Sequence, residues 1–150
     1  MKKVLLCFLS ALLLSIPAFS QSADQISKIL DSQKATFAQV SYLPALYANL
    51  INENDSEEAS FEAIKKAGWV PESAKAESEV TLSQLSLIYA KAIGLRGGLF
   101  YSLFHNERYA FKELKARRIL PGDADPSTKL SGRESIDLFN SCLTQSKESK

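Results

Sequence analysis

The chain carries one segment twice. Residues 60–89 align with residues 110–139, 50 positions later, without a gap. Phe61 falls on Phe111, Ile64 on Leu114, Lys65 on Lys115 and Val70-Pro71 on Leu120-Pro121. Val80-Thr81 falls on Leu130-Ser131, and Ile88-Tyr89 on Leu138-Phe139. Only four of the thirty paired positions are identical, namely Phe, Lys, Pro and Ala74/Ala124, so the apolar pattern and the unbroken register carry the relation. A repeat of this length is one supersecondary unit that stacks on its own copies. It predicts an all-α chain of repeated helix-loop-helix units, and a binding module rather than an enzyme.

The apolar spacing places the helices. Phe61, Ile64 and Gly68 share one helical face, and Gly68 suits the end of that helix. Pro71 opens a loop of small and charged residues that runs to Glu79. Thr81 then opens a helix whose inward face is Leu85, Ile88 and Ala92. In the later copy Phe111 and Leu114 mark the leading helix, and Pro121-Gly122-Asp123 starts the loop. Ser131 opens a helix with Ile136, Phe139 and Leu143 inward. Thr81-Leu82-Ser83-Gln84 and Ser131-Gly132-Arg133-Glu134 both fit the capping box, in which two side chains satisfy each other's backbone donors. Such a cap contributes about 1 kcal/mol. Val80 and Leu130 sit where a hydrophobic staple begins, with Leu85 and Ser135 at the partner position, so the first copy has the better staple.

The signature occurs a third time upstream. Thr36-Phe37-Ala38-Gln39 matches the Thr81 box, and Val40, Leu43, Tyr47 and Leu50 continue an apolar face. Pro44 falls inside that helix and is expected to kink or split it. Ile26, Ile29 and Leu30 mark the short helix before it. The expected organisation is about three units, at 22–51, 58–93 and 105–145, with 52–58 as a polar, acidic linker.

The first residues read differently. Met1-Lys2-Lys3 is basic, residues 4–16 are apolar apart from Ser10 and Ser15, and Ala18-Phe19-Ser20 is a small-x-small site. That is the layout of a cleaved signal peptide over 1–20. The apolar run of 13 residues is short of the roughly 20 that cross a bilayer. The expectation is a single domain over 21–150 in the periplasm or cell envelope, with no transmembrane span. Without residues 1–20 the chain holds 16 basic and 17 acidic residues, a net charge of −1. No basic stripe suggests nucleic acid. Cys142 is then the only cysteine, so no internal disulfide forms and it reads as a buried small apolar residue.

Residues 93–109 interrupt the register. Ile93-Gly94-Leu95-Arg96-Gly97-Gly98 reads as a turn, followed by the apolar run Leu99-Phe100-Tyr101-Ser102-Leu103-Phe104. One reading is an inserted core helix. The other is an exposed aromatic patch for a partner, with Tyr101, Phe104, His105 and Tyr109 as its members.

Catalytic and cofactor motifs do not stand out. His105 is the single histidine, which excludes a multi-histidine metal site. There is no Gly-x-Ser-x-Gly elbow, phosphate loop or Cys-x-x-Cys, and no cofactor is expected. Asp123, Asp125, Ser127, Ser131 and Glu134 have the spacing of a calcium loop. Thr128 stands where that loop needs Gly, Pro126 stiffens it, and Glu134 belongs to the capping box, so the segment reads as a turn. Lys112, Lys115, Arg117 and Arg118 make the leading helix of the last unit basic, and with Arg133 they are the candidates for an anionic ligand.

Ile119-Leu120-Pro121-Gly122-Asp123-Ala124-Asp125-Pro126 and the helix start at Ser131 resemble S-layer homology repeats. The resemblance implies a compact helical prism and a secreted, non-catalytic envelope module that binds a cell-wall polymer or envelope component; the charge pattern makes Arg117, Arg118 and Arg133 the expected ligand residues. In that family the residue after the capping Thr is often an Arg that meets anionic polysaccharide. Here those positions are Phe37, Leu82 and Gly132, and Arg133 lies one place on, about 100° further round the helix. The other expectation is a periplasmic adaptor that docks a protein partner through 99–109.

Overall fold

Side-chain caps start three helices where the sequence places them, at Thr36, Thr81 and Ser131. The computed structural model describes residues 18–148. The expected signal run, 4–16, lies outside those residues. Among the described residues the chain is all-α, with α1 (Ala18–Asp31), α2 (Phe37–Tyr47), α3 (Glu57–Lys66), α4 (Leu82–Ala92), α5 (Leu99–Phe104), α6 (Glu107–Ala116) and α7 (Gly132–Glu148). The only strand-like pairing among them is a bridge between Thr36 and Glu79. No helix among them is long and apolar enough to cross a membrane.

Three capping boxes are formed. Thr36 exchanges bonds with Gln39 at 3.1 and 3.4 Å, and Thr81 with Gln84 at 3.0 and 3.4 Å. Ser131 does the same with Glu134 at 2.8 and 3.3 Å, and the Ser131 N–H and hydroxyl donating to the Glu134 carboxylate hold its pKa below the usual range. Ser56 and Asn106, 50 residues apart, cap α3 and α6 through their side chains.

The 50-residue register extends to single bonds. Lys65 Nζ donates to the Ala74 carbonyl at 3.3 Å while lying 5.6 Å from the Phe61 ring centre. Lys115 Nζ donates to the Ala124 carbonyl at 3.4 Å and lies 5.4 Å from the Phe111 ring centre. Gly68 and Arg118 end α3 and α6 in the left-handed region, with φ of 68° and 60°. Glycine takes that conformation freely, whereas Arg118 adopts it at a steric cost.

The capped helices α2, α4 and α7 pack on one another, and each takes a leading helix from elsewhere in the chain: α3 lies on α2, α6 on α4 and α1 on α7. The backbone bonds follow the same cyclic order. Phe37 and Ala38 at the start of α2 donate to the Ser78 and Ala76 carbonyls. Leu82 and Ser83 at the start of α4 donate to Thr128 and Pro126. Gly132 at the start of α7 donates to the Ser32 carbonyl at 2.9 Å, which closes the ring. The residues just before the caps also meet: Val80 N–H donates to the Ala35 carbonyl and Ala35 N–H to Leu130. Beside them Glu79 pairs with both Lys129 and Lys34, and the Lys129 bond holds its carboxyl below the usual range.

The core is built from the inward faces that the spacing marks. Phe61, Ile64, Leu85, Ile88, Phe111, Leu114 and Phe139 are all buried in one cluster. Three expectations are corrected. Pro44 does not split its helix: α2 runs through it to Tyr47, because the buried proline ring is itself part of the packing. Glu57 and Glu58 are not linker residues but the first turn of α3, where carboxylates favour the positive end of the helix dipole. The inward stripe of α7 is Ser135, Leu138, Phe139 and Cys142, with Ile136 and Leu143 half-buried beside it. Small residues let α7 approach closely on that stripe, which an apolar-only reading misses.

The turn at 123–127 is held from within. Asp125 accepts from Ser127 N–H and Oγ at 2.8 and 2.7 Å, which lowers its pKa. Cys142 is buried, and burial pushes its thiol up to about 12. The thiolate is the reactive form, so a thiol reagent at mildly alkaline pH should leave Cys142 unmodified until denaturant is added. Peptide mapping after alkylation checks this, and rapid labelling of the native chain at Cys142 would contradict the packing of α7.

Candidate functional site

Helix α6 organises two adjoining surfaces. On one side Arg108, Lys112 and Lys115 stand at spacings of 4 and 3, and so share a face. They flank Phe111 above a groove of about 520 Å³, closed by Ser83 at the start of α4 and by Pro126. The floor is apolar. Lys115 is held against Phe111 by its bond to Ala124, while Arg108 and Lys112 stay exposed on the rim. Glu107 is the one acid in the lining, and burial raises its carboxyl pKa.

The corresponding positions on α3, 50 residues earlier, carry the opposite charge. Glu58 and Glu62 stand where α6 has Arg108 and Lys112, and both are exposed. The two surfaces share Phe61/Phe111 and Lys65/Lys115 and differ in the sign of their rims.

The structure brings together only part of the expected basic set. Lys112 and Lys115 line the groove, and Arg108 joins them. Arg117 lies nine residues after Arg108, about 180° round a helix. There it bonds Glu113 at 2.9 Å, donates to the Arg96 carbonyl, and lines a separate depression with Tyr47, Ile93 and Ser146. Arg118 is exposed, in the left-handed turn that ends α6. Arg133 is exposed at the start of α7 and is absent from the groove lining. The positions where S-layer homology repeats place a ligand arginine are inward-facing here: Phe37 and Leu82 are core, and Gly132 is buried. A side chain at any of the three meets protein.

The second surface is α5. Leu99 is 78% exposed, Leu103 68%, Phe100 61% and Phe104 51%. The Tyr109 ring of α6 stacks with Phe100 at 5.6 Å and with Phe104 at 5.2 Å, and Lys112 Nζ lies 5.8 Å from its centre. Tyr101 is not a surface residue as expected. It is 3% exposed and packs with Leu87, Ala90 and Ala110. A six-residue helix has one side chain free to turn inward, and burial pushes the Tyr101 hydroxyl up to about 12. His105 is exposed and ends α5 in the left-handed region, with its ring 5.4 Å from Tyr101. Thus Phe104 and His105 are exposed, whereas Tyr109 is half-buried under the Phe100 and Phe104 rings. Leu99, Phe100 and Leu103, which were not singled out, form most of the exposed patch.

No protein-family model matches the chain, and no curated protein or solved structure matches it either.

Proposed function

We propose that the chain is a secreted, non-catalytic module of the cell envelope that takes an anionic wall polymer into the groove between α6 and the start of α4. The observation that carries this reading is a basic rim over an apolar floor: Arg108 and Lys112 beside Phe111 and Pro126. An apolar floor accepts the C–H face of a sugar ring, and a few placed charges fix its orientation. Arginine pairs with phosphate or carboxylate through two donors, and lysine as a point charge. The signal-like start and the resemblance to S-layer homology repeats support the envelope setting.

The reading is tested by co-sedimentation of the full chain with lipid-free envelope sacculi over a range of salt. Pelleting should fall as ionic strength rises, since rim charges are screened. Arg108→Glu with Lys112→Glu should weaken pelleting at low salt by at least about tenfold. Glu58→Lys with Glu62→Lys, on the counterpart face, should leave it intact. Equal pelleting by the Arg108/Lys112 variant would reject the groove, and absence of pelleting at every salt would reject the polymer.

A further inference from the structure

We infer that α5 is a membrane-surface anchor that inserts into an anionic phospholipid leaflet. This goes beyond the polymer reading and does not depend on it.

Four large apolar side chains stand exposed on one six-residue helix: Leu99, Phe100, Leu103 and Phe104. Monomeric proteins seldom leave such side chains clustered in water without a use for them. The patch is fixed in place. Tyr101 is buried beneath it, the Gly98 N–H donates to Glu113 Oε2 at 2.9 Å, and Ser102 Oγ donates to the Gly97 carbonyl at 3.0 Å. Its side chains are therefore presented by a folded support, and less ordering remains to be done on binding.

The surroundings select the occupant. Residues 94–106 contain no Asp or Glu. Arg96 precedes the helix, and Arg108 and Lys112 follow it, all exposed. The nearest acids are already engaged or set back: Glu113 is tied to Arg117 and Gly98, and Glu107 is half-buried. Lys112 lies over the Tyr109 ring and Arg108 beside His105, and an apolar patch edged by cations complements acyl chains beneath anionic headgroups. Tyr109, stacked beneath Phe100 and Phe104, has the amphipathic character that places tyrosine at the headgroup level.

The test is flotation of residues 21–150 with phosphatidylglycerol-containing vesicles and with phosphatidylcholine vesicles. Leu99→Ser with Leu103→Ser is the variant, because both side chains are exposed and the fold does not rest on them. Parent and variant both start at residue 21, because the apolar run at 4–16 would by itself carry a chain into vesicles. The parent should float with the anionic vesicles, and the variant's partition should be lower by about 100-fold, near tenfold for each apolar side chain withdrawn. The parent should bind phosphatidylcholine at least about tenfold more weakly, since Arg108 and Lys112 then have no anionic partner. Equal flotation of parent and variant would overturn the proposal. So would equal binding to the two lipids. Concentration-dependent mass in light scattering that the variant abolishes, with no flotation by the parent, would assign the patch to protein contact instead. Sacculi contain no bilayer, so failure here leaves the polymer measurement unaffected, and the reverse.

Discussion

Gly132→Ala should lower the stability of the chain by about 3–5 kcal/mol, a large share of the roughly 5–15 kcal/mol that holds a domain folded. Gly132 is the first residue of α7 and donates its N–H to the Ser32 carbonyl at 2.9 Å. A Cβ added there would stand 1.6 Å from the Ile29 carbonyl oxygen and 2.6 Å from its carbon. Both are backbone atoms, so no rotamer change relieves the contact. Either α1 moves away from α7 or the start of α7 is displaced, and both break the junction that closes the ring of helices. Urea denaturation of Gly132→Ala against the parent measures the loss. Arg133→Ala, one exposed position on, should stay within about 0.5 kcal/mol. Amide exchange adds a local reading: protection in 22–31 should fall more than in 82–92, because α1 is the element pushed off. A Gly132→Ala protein as stable as Arg133→Ala would contradict the close approach of α1.

The same glycine shows what the sequence states and what it conceals. The box Ser131-x-x-Glu134 marks a helix start because its chemistry is local: two side chains and two backbone donors within four residues. All three boxes are legible for that reason, and so is the 50-residue register, down to the two lysine-to-carbonyl bonds. The reason that Gly132 follows the cap is not local. It lies in Ile29, about a hundred residues earlier, and only the closed ring brings the two together. Resemblance to a family with arginine at this position directs attention to charge. The structure gives packing instead, and it puts the charges on α6. Lys112 and Lys115 are visible as basic from the sequence, but their separation from Arg117 depends on which face meets α4. Helix α5 is the hardest case. Six residues give fewer than two turns, too few for periodicity to separate Tyr101, which is buried, from Phe100 and Phe104, which are not.

Leu85→Ala and Leu99→Ala remove the same atoms and should differ by most of the range that such changes span. Leu85 is fully buried in α4, in one cluster with Val80, Ile88 and Phe139. Truncating it withdraws three carbons from a packed interior and leaves a cavity that the three capped helices can close only in part. The expected loss is about 2–5 kcal/mol, set by how far they collapse. Leu99 is 78% exposed, so its truncation removes little buried surface and leaves no cavity. Its stability should change by no more than about 0.5 kcal/mol. Urea unfolding of the two variants at a common slope decides it, since a shifted midpoint without a change of slope reports stability alone. A large loss at Leu99 would mean that α5 is held against the domain by its apolar face. Helix α5 would then be a piece of core, and the lipid-facing role would lose its side chains. A loss confined to Leu85 leaves Leu99 as an exposed apolar side chain that folding does not use, free to face a lipid surface.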